Sequence, residues 1–81
     1  MAFHYVYILQ SLNDSRHFYV GHTEDLGQRL KRHNAGEVPH TARYRPWRIK
    51  TAMAFTDSGR AVAFEHYLKT SSGRAFARKR L

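Results

Sequence analysis

Glu65 and Asp57 are the only acids between Thr41 and Leu81, a stretch that carries ten Lys and Arg. In a helix through this segment, Glu65 lies four residues after Ala61 and three before Leu68. It therefore turns toward the apolar stripe of Ala61, Phe64 and Leu68. A carboxylate there is costly unless it is paired or binds a cation. Two partners are open: a nearby Arg, or Mg²⁺ or Mn²⁺. These hard cations prefer oxygen and often use one or two carboxylates, with water and phosphate completing the shell. Arg29 and His33 are one helical turn apart, beside a seam of Leu26 and Leu30. A guanidinium there can grip a phosphate with two parallel hydrogen bonds and offset charge developing on it. Tyr7 and Tyr19 fall in two tyrosine-bearing segments, Tyr5-Val6-Tyr7 and Tyr19-Val20-Gly21. Alternation alone makes each a core aromatic. Convergence with Arg29, His33 and Glu65 would make them the floor of a catalytic patch. Gly21 leaves room for a phosphate to approach, and His22 follows at the mouth of a helix N-terminus, where anions bind.

The elements that must position these residues read as β-β-α-β-α-α. Phe3–Gln10 alternates with apolar residues on both sides, so it reads as a central strand covered on each face. The turn cluster 11–15 leads to a second strand over Arg16–Gly21, making an antiparallel hairpin. Thr23 is placed to cap a helix running to Asn34, with Gly36 ending it. Residues 37–46 read as a basic loop. In it His40, Arg43 and Arg45 face a nucleic-acid ligand, and Trp47 anchors the core. Trp47–Thr56 is the third strand. Ser58 caps a helix over Gly59–Lys69, Ser71-Ser72-Gly73 breaks it, and a short basic helix covers Arg74–Arg80. The expected class is α/β (α+β): a small three-stranded antiparallel sheet flanked by helices, in one domain spanning 1–81. His4, His17 and His66 read as structural.

The chain has 81 residues, no Cys and a net charge of +8. Without Cys there is neither a disulfide nor a thiolate metal site. The charge points to a polyanion, because displaced counterions drive such associations. Lys69, Arg74 and Arg78 are further candidates to hold a phosphate backbone. No apolar run approaches the ~20 residues of a membrane span and no signal peptide is visible. The expectation is a cytoplasmic protein that binds nucleic acid, DNA ahead of RNA, and no membrane. It would be a monomer or weak dimer, with a protein partner left open.

These residues resemble a known family. Tyr5-Val6-Tyr7-Ile8-Leu9, Tyr19-Val20-Gly21-His22-Thr23, Asp25-Leu26, Arg29-Leu30, His33-Asn34 and Gly36 occur in the order of the GIY-YIG nuclease superfamily. His40-Thr41, Arg45-Pro46-Trp47, Ala63-Phe64-Glu65 and Leu68-Lys69 continue the likeness. It is nearest to the small single-domain bacterial branch, similar to the N-terminal domain of excision-repair nucleases. The resemblance implies a metal-dependent endonuclease, repair-related and structure-specific, using one Mg²⁺ or Mn²⁺. The family's tyrosines map onto Tyr7 and Tyr19, its arginine onto Arg29, the next position on that helix onto His33, and its metal-binding glutamate onto Glu65. Tyr5 stands where the first motif's Gly would be, and no Asn follows Asn34. With no accessory domain, target choice would come from the domain itself or a partner. Two rivals remain at this level. One is a non-catalytic nucleic-acid-binding module. The other is a metal-independent ribonuclease built on paired histidines such as His22 and His33.

Overall fold

A computed structural model describes residues 2–81. β1 (His4–Ser11) is central, as its two apolar sides require. β2 (Phe18–Thr23) and β3 (Trp47–Phe55) both pair with it antiparallel, giving the sheet order β2-β1-β3. Side chains alternate between faces, so β1 feeds two cores. Val6 and Ile8 pack with Ala61 and Leu68 on one face. Tyr7 and Leu9 pack with Trp47 on the other. α1 (Leu26–Asn34) sets Leu26 and Leu30 on the Tyr7 face. α3 (Ser58–Leu68) and α4 (Ser71–Arg80) cover the Val6 face through Phe64 and Ala77.

The expected class and the order of the main elements hold; β2 runs two residues later than the expected Arg16–Gly21, and the other differences lie in residues 37–46 and at helix ends. Residues 37–46 are not all loop: Pro39 opens a one-turn helix, α2 (Pro39–Ala42), where its fixed φ suits the first position. Asp25, not Thr23, caps α1, accepting from the Gln28 N–H at 3.0 Å; Thr23 ends β2. Asp57, not Ser58, caps α3 and accepts from Gly59 N–H at 2.8 Å. In both cases a carboxylate adds charge at the positive end of the helix dipole, which a hydroxyl cannot. Ser71-Ser72-Gly73 does not break structure. Thr70 accepts from the Gly73 N–H at 3.1 Å, so these three residues are the first turn of α4. Gly36 does end α1, with φ 78°, where glycine is at ease.

Asn34 ties the end of α1 to the start of β3. Its side chain accepts from Trp47 N–H at 2.6 Å and donates to Trp47 carbonyl at 3.1 Å. The Trp47 indole N–H then donates to the Thr41 carbonyl at 2.8 Å, which fixes α2 against the same corner. No helix among the described residues is long and apolar enough to cross a membrane.

Gly73 tests the packing of α4 on α3. A Cβ there would overlap the Tyr67 carbonyl. Gly→Ala in an exposed helix gains about 1 kcal/mol, whereas forced overlap in a packed contact costs about 1–3 kcal/mol or more. Gly73→Ala should therefore destabilise the protein in urea unfolding. A stabilised variant would show that the two helices do not meet there.

Candidate active site

The site is assembled around the bare backbone of Gly21. Tyr7 and Gly21 are register partners, so their side-chain positions share a face. The Tyr7 ring lies across Gly21 so closely that a Cβ there would stand 2.5 Å from the phenol oxygen. Only glycine leaves that path open. Beyond it the Tyr7 hydroxyl meets His33 Nε2 at 3.0 Å. Both residues are buried, Tyr7 at 2% exposure and His33 at 1%. Tyr19 shares this face, its ring centroid 5.1 Å from that of His33 and 6.5 Å from that of Tyr7.

Counting hydrogens assigns a His33 tautomer. His33 Nδ1 lies 2.8 Å from Thr41 Oγ1, and the Thr41 hydroxyl donates its one proton to the Val38 carbonyl at 3.3 Å. With that proton committed to Val38, Thr41 accepts from His33 and Nδ1 is assigned the proton. Nε2 is then the acceptor for the Tyr7 O–H. Burial first, then the charges of Arg29 and Arg32, hold the His33 pKa below its ordinary value, which keeps the ring neutral. Burial also dominates at Tyr7. Tyr19 and Glu65 raise it further, Arg29 opposes, and the result is a phenol pushed up to about 12. Arg29 alone does not turn Tyr7 into a phenolate.

Glu65 reaches the site from the other face of the sheet. It is buried at 7% exposure, as its place on the stripe required. Its partners are not arginines. Lys69 Nζ donates to Oε2 at 2.9 Å, and His22 Nδ1 lies 2.5 Å from Oε1. Burial works against the charge, but the hydrogen bonds from Lys69 and His22 outweigh it and hold the carboxyl below the usual range. His22 is the register partner of Val6, so it shares the face of α3. The five residues expected on one patch thus form two half-sites. Tyr7, Tyr19, Arg29 and His33 lie on the α1 face, and Glu65 lies with His22 on the α3 face. The two groups flank the edge strand β2, and the Glu65 charge is the last of the influences that raise the Tyr7 phenol. An open cleft of about 510 Å³ runs alongside, lined by His22 and Arg29 together with His4, Asp25, Ser58 and Val62.

Glu65 is an ionised carboxylate whose two partners, His22 and Lys69, are half exposed and can turn aside. No group of three or more His, Asp or Glu that could cage a metal occurs among the described residues. The donor set fits a cation held by one carboxylate oxygen, water and phosphate.

Other expected contacts fall elsewhere. His40 is exposed on α2, Arg43 lies over the Tyr44 ring, and Arg45 donates to the Ala42 carbonyl. None of the three hydrogen-bonds to the Tyr7–His33 pair among the described residues. Lys69 pairs with Glu65, while Arg74 and Arg78 line a groove further along the same face. Trp47 is a core anchor, as expected. His17 stacks on Tyr44, and His4 faces Glu24 at 3.8 Å. Sequence reasoning passed over Thr41. No local spacing marks it, because its partner His33 lies eight residues away on another element.

The GIY-YIG catalytic domain matches residues 3–80. The chain belongs to the GIY-YIG family. UPF0213 protein BH0048 of Halalkalibacterium halodurans is 36% identical over 72 residues, covering 88% of this chain and 74% of that protein. UPF0213 protein HQ_3675A of Haloquadratum walsbyi is 35% identical over 69 residues, covering 84% of this chain and 75% of that one. A structure-specific endonuclease subunit, SLX1 of Scheffersomyces stipitis, is 39% identical over 72 residues, covering 80% of this chain and 21% of that protein. The chain thus spans about three quarters of the two UPF0213 proteins and about a fifth of the SLX1 subunit. In this GIY-YIG domain Tyr7 and Tyr19 stand on the same face of the sheet as His33.

His33 also makes stability depend on pH. An unfolded histidine titrates near ~6.5, while the folded one resists protonation to lower pH. Below ~6.5 the unfolded chain binds the extra proton, so stability is complete above that value and falls as pH drops toward the folded-state pKa. The urea midpoint should fall between pH 7 and 5.5, and His33→Gln should flatten that slope. An unchanged slope in the variant would place the titration elsewhere.

Proposed function

We propose that this GIY-YIG domain is an endonuclease that hydrolyses phosphodiester bonds in DNA, with RNA the second candidate substrate. The observation that carries this reading is the Tyr7–His33 hydrogen bond over Gly21, with the ionised Glu65 carboxylate within electrostatic reach. The likeness to an endonuclease subunit supports it.

In this reading Tyr7 acts with His33. A water beside the Tyr7 oxygen gives up a proton to it as the phenol proton passes to His33 Nε2. Thr41 accepts from Nδ1 throughout and holds the ring in place. The water oxygen attacks phosphorus in line, and the leaving oxygen departs on the opposite side. A phenol at about 12 is a poor base alone, but a concerted transfer to a neutral imidazole never requires a free phenolate. Arg29 lies beside Tyr7 on the cleft side and would bind a non-bridging phosphate oxygen, offsetting transition-state charge. Glu65 would hold one Mg²⁺ or Mn²⁺, with His22 or Lys69 turning toward the phosphate. Bound there, the cation would supply positive charge to the scissile phosphate and the leaving oxygen. A repair role on branched DNA fits the same reading.

A second reading, a binding module without catalysis, draws on one observation: both Glu65 oxygens already have side-chain partners, His22 and Lys69. A cleavage panel decides between them, using branched, single-stranded and duplex DNA and RNA with and without Mn²⁺. The nuclease reading expects cutting that needs the metal and is lost in Glu65→Gln. It also expects Tyr7→Phe to lose about 10²–10⁴-fold in rate, for a stability change of about 1 kcal/mol from one lost hydrogen bond. Metal-dependent cutting by Glu65→Gln at the wild-type rate would defeat it. Cutting that survives a chelator would favour the paired-histidine alternative.

A further inference from the structure

On the α3 face, beyond Lys69, a groove of about 510 Å³ opens between β2 and the packed helices α3 and α4. Ile8, Phe18, Val20, Leu68 and Ala77 contribute its apolar surface. Phe18 is 49% exposed, and Lys50 Nζ stands 5.8 Å from its ring centroid. Arg16, Lys50, Lys69, Arg74 and Arg78 also line the groove, and no carboxylate does. Asp14 pairs with Arg16 and Glu65 with Lys69, so Lys50, Arg74 and Arg78 carry the uncompensated charge.

A half-exposed Phe18 beside the partly exposed Val20 and Ala77, ringed by cations, is unlike a plain solvated basic face. Phosphate binding alone needs only the cations. A hydrophobic peptide would need only the apolar surface. The combination matches one chemistry: a flat apolar ring joined to a polyanionic backbone. The groove is also continuous with the site through Lys69, which touches Glu65 and lines the groove at once.

We propose that this groove receives an unpaired nucleotide of the substrate strand next to the cleaved phosphate. Its base rests on Phe18 and Val20, and the flanking phosphates lie on Lys50, Arg74 and Arg78. The proposal rests on the nucleic-acid reading above and narrows it: the strand must be unstacked beside the cut, as in single strands, flaps and junctions.

The test is binding by the full chain in a chelator, where no cutting intervenes. Three fluorescent probes of equal length are compared: an oligothymidylate, the same backbone with abasic sites, and a duplex. The wild type should bind the oligothymidylate about tenfold tighter than the abasic strand and tighter than the duplex. Phe18→Ala should erase that base preference with an unchanged melting midpoint, since the side chain is half exposed. Arg74→Gln with Arg78→Gln should keep the preference but lower the slope of log affinity against log salt by about 1.4. Equal affinity for abasic and base-bearing strands, a preference that survives Phe18→Ala, or polyglutamate competing as well as unlabelled oligothymidylate would each overturn the groove. A chain that discriminates bases but cuts nothing sinks the nuclease reading alone. One that cuts metal-dependently without base preference sinks the groove alone.

Discussion

A phenol hydroxyl buried in a sheet must find a hydrogen-bond partner, and for Tyr7 the route to one lies across another strand. That constraint organises the molecule. Gly21 has no side chain, so the ring can cross β2. His33 stands at the end of that path because α1 is capped at Asp25 and clamped at Asn34. Thr41 sits behind His33 because Trp47 holds its carbonyl. Each piece is an ordinary structural device. Together they fix a neutral imidazole, with its acceptor nitrogen on a phenol, at the edge of a sheet.

The edge position matters as much as the hydrogen bond. β1 is covered on both faces, so groups on opposite faces could meet through it only by crossing the core. β2 is an edge strand, and around it the α1 face and the α3 face share one rim. The environments of the two half-sites differ accordingly. Burial keeps His33 uncharged and raises Tyr7, while Lys69 and His22 keep Glu65 ionised despite its burial. A proton acceptor and a negative charge are thus held on the two faces of the same edge strand.

Much of this was legible in the chain. Two-sided apolar alternation around Tyr7 made β1 central, and helical spacing put Glu65 on a buried stripe and Arg29 one turn from His33. The split between faces was also implicit, because Tyr7 and Gly21 differ in parity from Val6 and His22 once paired. It was missed because spacing within one element says which residues share its face, not which elements lie on which side of a sheet. The helix caps went astray for a local reason: hydroxyl and carboxylate candidates stood within two residues of each other, and the carboxylate gained from the dipole. Thr41 was invisible because its role depends on a neighbour eight residues away and on where the Val38 carbonyl points. The assignment of Glu65 to a salt bridge or a cation stayed open in sequence, and Lys69 and His22 now occupy it.

The central claim is that the Tyr7 and Glu65 half-sites work as one unit across Gly21. A double-mutant cycle on cleavage rate tests it most directly, with Tyr7→Phe, Glu65→Gln and the two combined. Groups that act together in one step lose their effect once either is gone, so the combined variant should cut no more slowly than the worse single variant. Losses that multiply, each substitution costing the same factor with or without the other, would mean two independent sites and would contradict the account.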